Sequence, residues 1–316
     1  MRLFVSIASY CDPLLARTLR CAVATAADAR RLHFGVVDQS PADAPPVPHP
    51  GGGCRLSQVR VAIEAARGPC WARAIAMSLQ AGEEWFLQLD AHMDFDAGWD
   101  ERLVAAARAL GAPARPLVIS SYPPAFRLVQ GEVLRETLTH GVLAQVVKPG
   151  AAFEAGHPVL PFEAHPVETD APLPAFHLGA GCLFAAGAIV QQFPYDPWLY
   201  FQGEEQALAL RLYTHGWDLF HIPDLPIHHH YHHEGTSAPA RPLHWDATQD
   251  AAREVPWWTR EQRSRERLAL LVAGADLGAY GLGTRRTLRE FAAFSGIDYQ
   301  ARTLAAAAFV PRRVRA

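Results

Sequence analysis

Trp85-Phe-Leu-Gln-Leu-Asp-Ala-His-Met-Asp94 is the stretch that decides the fold. Five residues, Trp85 to Leu89, have the apolar chemistry of a buried strand, and the run stops at Asp90. Alternate residues leaving a strand point to the same side, which places Asp90 and His92 together beyond its carboxyl end. Upstream, Leu3 to Ser9 reads as a first strand. Pro13 opens a helical pattern carrying Leu14, Leu15, Leu19 and Val23, and His33 to Val37 is a second strand ending at Asp38. After a Pro- and Gly-crowded loop from Ser40 to Gly53, a helix is expected from about Pro69 to Gln80, with proline suited to its first turn. Strands alternating with helices imply an α/β fold with a mostly parallel central sheet. Ligands of such sheets gather outside the carboxyl ends of the strands, where Asp38 and Asp90 both fall.

Downstream, Leu117 to Ser121 and Val142 to Val147 are strand-like. The proline-rich region 113–174 as a whole gives no strand order and is expected to shape the acceptor side of a cleft. Ala180 to Val190 reads as a Gly-rich strand and turn, Gly203 to His215 as an amphipathic helix, and Trp217 to Ile222 as a strand leading to Ile227-His-His-His-Tyr-His-His-Glu234. Beyond Gly235 the composition shifts toward Arg, Trp and Ala with helical spacing. Residues 1–235 are therefore expected to form a catalytic domain and residues 236–316 a helical extension packed on it.

The 316 residues are half apolar, enough for one large core, and the formal net charge is −3 without a run of five or six like charges. That balance offers no electrostatic footprint for nucleic acid. Cys11, Cys21, Cys54, Cys70 and Cys182 are odd in number and form no C-x-x-C pair, so reduced thiols are expected. The first residues read as a strand and not as a leader, and no run approaches the roughly 18 apolar residues of a membrane span. A cytoplasmic protein is the expectation.

Carboxylate plus imidazole at Asp90 and His92 suits manganese or magnesium and leaves positions for phosphate oxygens; alternatively, Asp90 caps a turn and His92 is a polar loop residue. Glu204 and Glu205 open a helix, where acidic side chains also complement the positive helix end. His228, His229, His230, His232 and His233 cannot all turn to one ion, so one or two of them can join the Asp90/His92 pair.

Asp90-Ala-His92, then Ala180-Gly-Cys-Leu-Phe184, Tyr195-Asp196, Phe201-Gln-Gly-Glu-Glu205, Arg211, Gly216, Ile222-Pro223 and His229 resemble in order and spacing the core of the polypeptide GalNAc-transferases. Over nearly the whole chain the sequence also resembles the GlcNAc-transferase family typified by cytoplasmic hydroxyproline polypeptide N-acetylglucosaminyltransferases. That likeness is carried by Phe4-Val-Ser-Ile-Ala-Ser-Tyr10, Gly68-Pro-Cys-Trp-Ala-Arg73, Tyr200-Phe-Gln-Gly-Glu-Glu205, Arg241-Pro-Leu-His-Trp-Asp246 and Gly281-Leu-Gly-Thr-Arg-Arg-Thr-Leu288.

The resemblance implies a GT-A fold, a UDP-sugar donor, UDP-GlcNAc foremost, Mn2+ or Mg2+, and retention at the anomeric carbon. It matches Asp90, His92 and His229 to metal ligands and brings Ser9, Asp38 and Arg67 near nucleotide-contacting positions. Arg73 is a candidate for phosphate or for a salt-bridged surface arginine. Glu204 matches a sugar-contacting glutamate, and Glu205 stands where the GalNAc-transferase pattern has asparagine, which leaves the sugar preference open. Both are candidate catalytic residues for transfer to a hydroxyl of a polypeptide or glycan acceptor. The rival readings are a metal-dependent hydrolase and a UDP-sugar-binding protein without turnover.

Overall fold

The structure, a computed structural model, describes residues 1–136, 138, 140–231, 242–250 and 253–312. The first half supplies β1 (Leu3–Tyr10), α1 (Leu15–Thr25), β2 (Leu32–Ser40), β3 (Arg55–Ala62), α2 (Pro69–Met77), β4 (Trp85–Leu89), β5 (Met93–Phe95) and α3 (Trp99–Ala109). Then come β6 (Leu117–Ile119), a hairpin of β7 (Phe126–Val129) and β8 (Glu132–Arg135), a second hairpin of β9 (Gly141–Val147) and β10 (Phe162–Glu168), and β11 (Leu173–Ala175). The chain continues through β12 (Cys182–Ala186), α4 (Ile189–Gln192), α5 (Glu204–Thr214), β13 (Asp218–His221) and β14 (Ile227–His229), and then α6 (Ala247–Asp250), α7 (Trp257–Val272) and α8 (Leu288–Ser295).

Eight strands form one sheet in the order β11-β13-β6-β12-β4-β1-β2-β3. The pairings β4-β1, β1-β2, β2-β3 and β13-β6 are parallel, while β12 runs antiparallel between β4 and β6, and β11 antiparallel on the edge. Strands β1, β2 and β4 are nearly continuous apolar runs because both faces of the sheet are covered. Leu3, Val5, Leu87 and Phe184 pack with Leu19 of α1 and Trp99 of α3 on one face. Phe4, Phe86 and Leu183, one residue out of phase, pack with Leu208 and Leu210 of α5 and Leu268 of α7 on the other. The alternation of a pleated strand thus divides one sequence between two cores.

The mostly parallel α/β architecture is as expected, with differences in detail. Strand β3 was not anticipated: Arg55-Leu-Ser-Gln-Val-Arg-Val-Ala62 is an edge strand whose exposed and half-buried residues lack a continuous apolar signal. Helix α3 was also missed; it starts after Gly98, which takes a positive φ of 67°, and buries Trp99 completely. Ala180 to Val190 is strand β12 followed by the short α4. Residues 113–174 contribute β6, both hairpins and β11.

The expected boundary between residues 235 and 236 lies outside the described residues. Beyond it, Leu268, Leu271 and Phe291 belong to the same apolar cluster as Leu208 and Leu210. The Tyr200 N–H donates to the Ser264 hydroxyl at 3.0 Å.

One buried threonine couples the fold to the turn after β4. Thr18 Oγ1 accepts from the Met93 N–H at 2.9 Å and donates to the Ala91 carbonyl at 2.8 Å, fastening the Asp90–Met93 segment to α1. Thr18→Val keeps the volume and leaves a buried backbone donor without its acceptor, so unfolding in urea should show a loss of about 1–3 kcal/mol. Thr18→Ser should recover most of it; a loss confined to Thr18→Ser, with Thr18→Val as stable as wild type, would mean that the methyl, not the hydroxyl, matters.

Candidate active site

Beyond the carboxyl ends of β1, β2 and β4 lies a cavity of about 330 Å3. Its lining includes Tyr10, Gln39, Asp90, His92, Glu205 and His229. Stacked Tyr122 and Tyr231, ring centroids 5.1 Å apart, form one wall, and stacked Phe201 and Trp245, 4.9 Å apart, another. His244, also on the lining, is pushed down to a pKa of about 3 by its burial and is neutral at physiological pH.

Asp90 directly follows β4, His92 comes two residues later, and His229 ends β14, whose antiparallel register against β5 sets His229 opposite Met93. His229 Nε2 lies 3.0 Å from His92 Nε2 and 3.2 Å from Asp90 Oδ2, and the third side of the triangle is 4.0 Å. A triangle with those sides has a circumradius of about 2.0 Å, the length of a bond from a first-row divalent ion to imidazole. The donor set therefore fits one ion. His92 Nδ1 meets Asp12 Oδ2 at 2.8 Å. A carboxylate there holds the proton on Nδ1 and turns the Nε2 lone pair toward the cluster, as the outer partners of metal-bound histidines do. Among the described histidines of the cluster, His228 turns instead to Asp96 at 3.1 Å and His230 lies edge-on to Phe126. His232 and His233 lie outside the described residues.

Arg73 is not on the surface, although it contributes to the lining of the cavity. It is buried, with Nη1 donating to both oxygens of Glu204 at 2.7 and 2.8 Å and Nη2 to Asp90 Oδ1 at 3.0 Å. Glu204 also accepts from the Tyr195 hydroxyl at 2.8 Å and the Cys70 thiol at 3.0 Å, and burial pushes its carboxyl pKa up despite the arginine. Glu205 is different: its side chain is 40 % exposed, with Oε1 accepting from the Ala180 N–H at 2.7 Å. Depth in the protein would raise the Asp90 pKa, but the His229 hydrogen bond and the Arg73 charge outweigh it and hold the carboxyl far below the usual range.

The remaining sequence candidates stand back from the cavity. Ala8, Tyr10 and Gln39 line it, whereas Ser9 and Asp38, adjacent in sequence and paired with each other in register, are buried and project from the opposite face of the sheet. The Ser9 carbonyl accepts from the Gln39 amide at 3.1 Å, so it acts on the lining at one remove. Arg67 is exposed, with its guanidinium 5.6 Å from the ring centre of Trp71. Asp12 and Tyr122 escaped sequence reasoning, and Phe201, Tyr231 and Trp245 entered it only inside quoted stretches with no role assigned, because the walls they build join segments far apart in the chain.

The model of the family described as Glycosyltransferase (GlcNAc) matches residues 49–301. The chain belongs to that family. No curated protein matches it in sequence. Among solved structures, GalNAc-T7 with UDP, GalNAc and Mn2+ overlaps 92 % of this glycosyltransferase-family chain at a TM-score of 0.57 and 16 % identity, a likeness of fold. The chain spans about half, 54 %, of that neighbour's length. Two structures of S. aureus TarS overlap 70 % and 73 % of this chain and 60 % and 37 % of their own, at TM-scores of 0.40 and 0.45 and identities of 15 % and 14 %. The expected GT-A fold and transferase family are thereby met. Among the described residues no helix is long and apolar enough to cross a membrane.

Gly181 offers a test of the cluster that leaves its members intact. A Cβ at that position would stand 2.6 Å from Asp90 Oδ2, so the carboxylate must shift. Gly181→Ala should therefore displace Asp90 from the two histidines, and lower stability as well because the same carboxylate pairs with the buried Arg73. We expect at least a tenfold loss of Mn2+ affinity by calorimetry, measured at a temperature where the variant remains folded. Unchanged Mn2+ affinity would show that this oxygen is not a ligand.

Proposed function

We propose that the protein transfers GlcNAc from UDP-GlcNAc to a hydroxyl acceptor, dependent on a divalent ion and with retention of the anomeric configuration. The observation that carries this reading is the convergence of Asp90 Oδ2, His92 Nε2 and His229 Nε2 on one point of a cavity large enough for a nucleotide sugar. The UDP, GalNAc and Mn2+ of the GalNAc-T7 structure support it.

In this reading Asp90, His92 and His229 would hold Mn2+ or Mg2+, which supplies positive charge against that of the diphosphate. Asp12 keeps the His92 lone pair turned inward, and Arg73 holds Asp90 and Glu204 in a fixed relation. Tyr10 and Gln39 bound the nucleotide end, with Ser9 and Asp38 behind them and Arg67 near the rim. Glu204 faces the sugar end. The acceptor oxygen forms its bond to the anomeric carbon on the face from which the diphosphate departs, and the hydroxyl proton leaves with the diphosphate. Glu205, the exposed carboxylate beside that point, orients the acceptor.

UDP should stabilise the chain only when manganese or magnesium is present. At about 100 times its dissociation constant a ligand adds about 2.7 kcal/mol, an easily read rise in melting temperature. His229→Ala should lose this response and His228→Ala keep it, because His228 pairs with Asp96 instead. Tight UDP binding that survives chelation would contradict the metal bridge.

A further inference from the structure

Strand β5 is only three residues long, yet its register against β14 is what selects His229 from the neighbouring imidazoles. The His230 N–H donates to the His92 carbonyl at 3.0 Å, and by the alternation of an antiparallel pair the Met93 and Phe95 carbonyls then face away from β14. Among the described residues no strand pairs with that second edge. Thr18 and two arginines occupy it. Arg17 of α1 donates from Nη1 to the Met93 carbonyl at 3.3 Å, and Arg135 of β8 from Nη2 to the Phe95 carbonyl at 2.8 Å. Between them lies Asp94, whose side chain is 1 % exposed and accepts from Arg17 Nη2 and Arg135 Nε, each at 2.5 Å.

The two arginines differ in reach. Of the two strands Arg17 bonds only to β5, whereas Arg135 has a third nitrogen, Nη1, that donates to Asp96 Oδ1 at 3.1 Å, and the same oxygen lies 3.1 Å from His228 Nε2 of β14. One guanidinium thus holds both strands of the pair, although it does not line the active-site cavity. Loss of His228 would remove the last of these bonds; loss of Arg135 would remove all three. The hairpin that carries Arg135 is anchored at the same place. The His229 N–H donates to the Pro124 carbonyl at 3.0 Å, just before β7, and buried Phe126 lies under the Arg17 guanidinium at 5.0 Å and edge-on to the His230 ring at 5.4 Å.

We propose that Arg135 is a positioning residue of the candidate metal cluster, clamping β5 to β14 in the register that brings His229 Nε2 to Asp90 and His92. The inference rests on the divalent-ion reading for what the cluster holds, but not for the clamping of the two strands. The sign of its charge separates this role from plain electrostatics. A guanidinium near the cluster repels a divalent ion, so removing its charge alone would tighten Mn2+ binding, whereas loosening the strands weakens it.

The test is calorimetric titration of the full chain with MnCl2, at a temperature where each variant is folded, together with amide hydrogen exchange of the metal-free chain. Arg135→Gln should weaken Mn2+ binding about fivefold, short of the roughly tenfold or greater loss that follows removal of an outer partner bonded directly to a ligand. Arg135→Lys returns the charge but not the planar fork, and should recover little of that loss. Arg102→Ala is the control: it takes another exposed arginine from Asp96 without touching Asp94 or Phe95, and should stay within about twofold of wild type. Exchange over residues 90–96 and 226–231 should quicken in Arg135→Gln and not in Arg102→Ala. Mn2+ binding that is unchanged or tighter in Arg135→Gln, full recovery in Arg135→Lys, an equal loss in Arg102→Ala, or unaltered exchange in those two segments would overturn the proposal. If the wild-type chain binds no Mn2+ while exchange quickens in both segments of Arg135→Gln, the clamp stands and the divalent-ion reading is the one that fails.

Discussion

The Asp90 carboxylate is held by two partners of different kinds, and the site depends on that division. Arg73 takes Oδ1 from the α2 side, and His229 meets Oδ2 from β14. Arg73 in turn grips Glu204 at the start of α5, so a single guanidinium links the end of β4 to the far wall of the cavity. Arg73, Glu204 and His229 are withdrawn from water and would each be costly alone; with the part-exposed Asp90 they satisfy one another, and removing one partner would strand the rest. The geometry of the candidate metal cluster is therefore set by a buried network and not by flexible surface side chains.

The sheet explains why these groups meet at all. Strand β4 stops at Leu89, where its parallel neighbour β1 continues to Tyr10 and β2 to Ser40, and the chain turns back through Asp90 and His92. β12 runs antiparallel beside β4 and brings Gly181 against Asp90 without a side chain in the way. β14 pairs with the short β5 and not with the central sheet, which lifts His229 above the strand ends. Asp12, at the start of the connection from β1 to α1, closes the arrangement by fixing the His92 ring.

Much of this was legible in the sequence where one segment carries its own signal. Asp90 and His92 lie two residues apart at a strand end, and the alternation that places them on one side is local. His229 was legible only through family resemblance, since nothing in Ile227-His-His-His-Tyr-His-His-Glu234 distinguishes one imidazole from the next. Its selection follows from the register of β14 on β5, a tertiary fact. The burial of Arg73 was not legible for a related reason. An arginine one turn into a helix is ordinarily a surface residue, and its carboxylate partners, part-exposed Asp90 and buried Glu204, sit 17 and 131 positions away. Ser9 and Asp38 fall one residue out of phase with the lining side chains Ala8, Tyr10 and Gln39. In a strand, that is the difference between facing a ligand and backing it. The edge strand β3 left no local pattern to read, and the stacking of Tyr122 on Tyr231 and of Phe201 on Trp245 is a tertiary fact that the stretches containing them do not announce.

The most direct measurement is electron paramagnetic resonance of Mn2+ bound to the protein in the presence of UDP, with the imidazole nitrogens and the phosphorus nuclei read from their couplings to the ion. The account predicts couplings to two histidine nitrogens, lost to one in His229→Ala and unchanged in His230→Ala, together with phosphorus coupling from the diphosphate. Bound Mn2+ with no nitrogen coupling, or with nitrogen coupling that persists intact in His229→Ala, would contradict it.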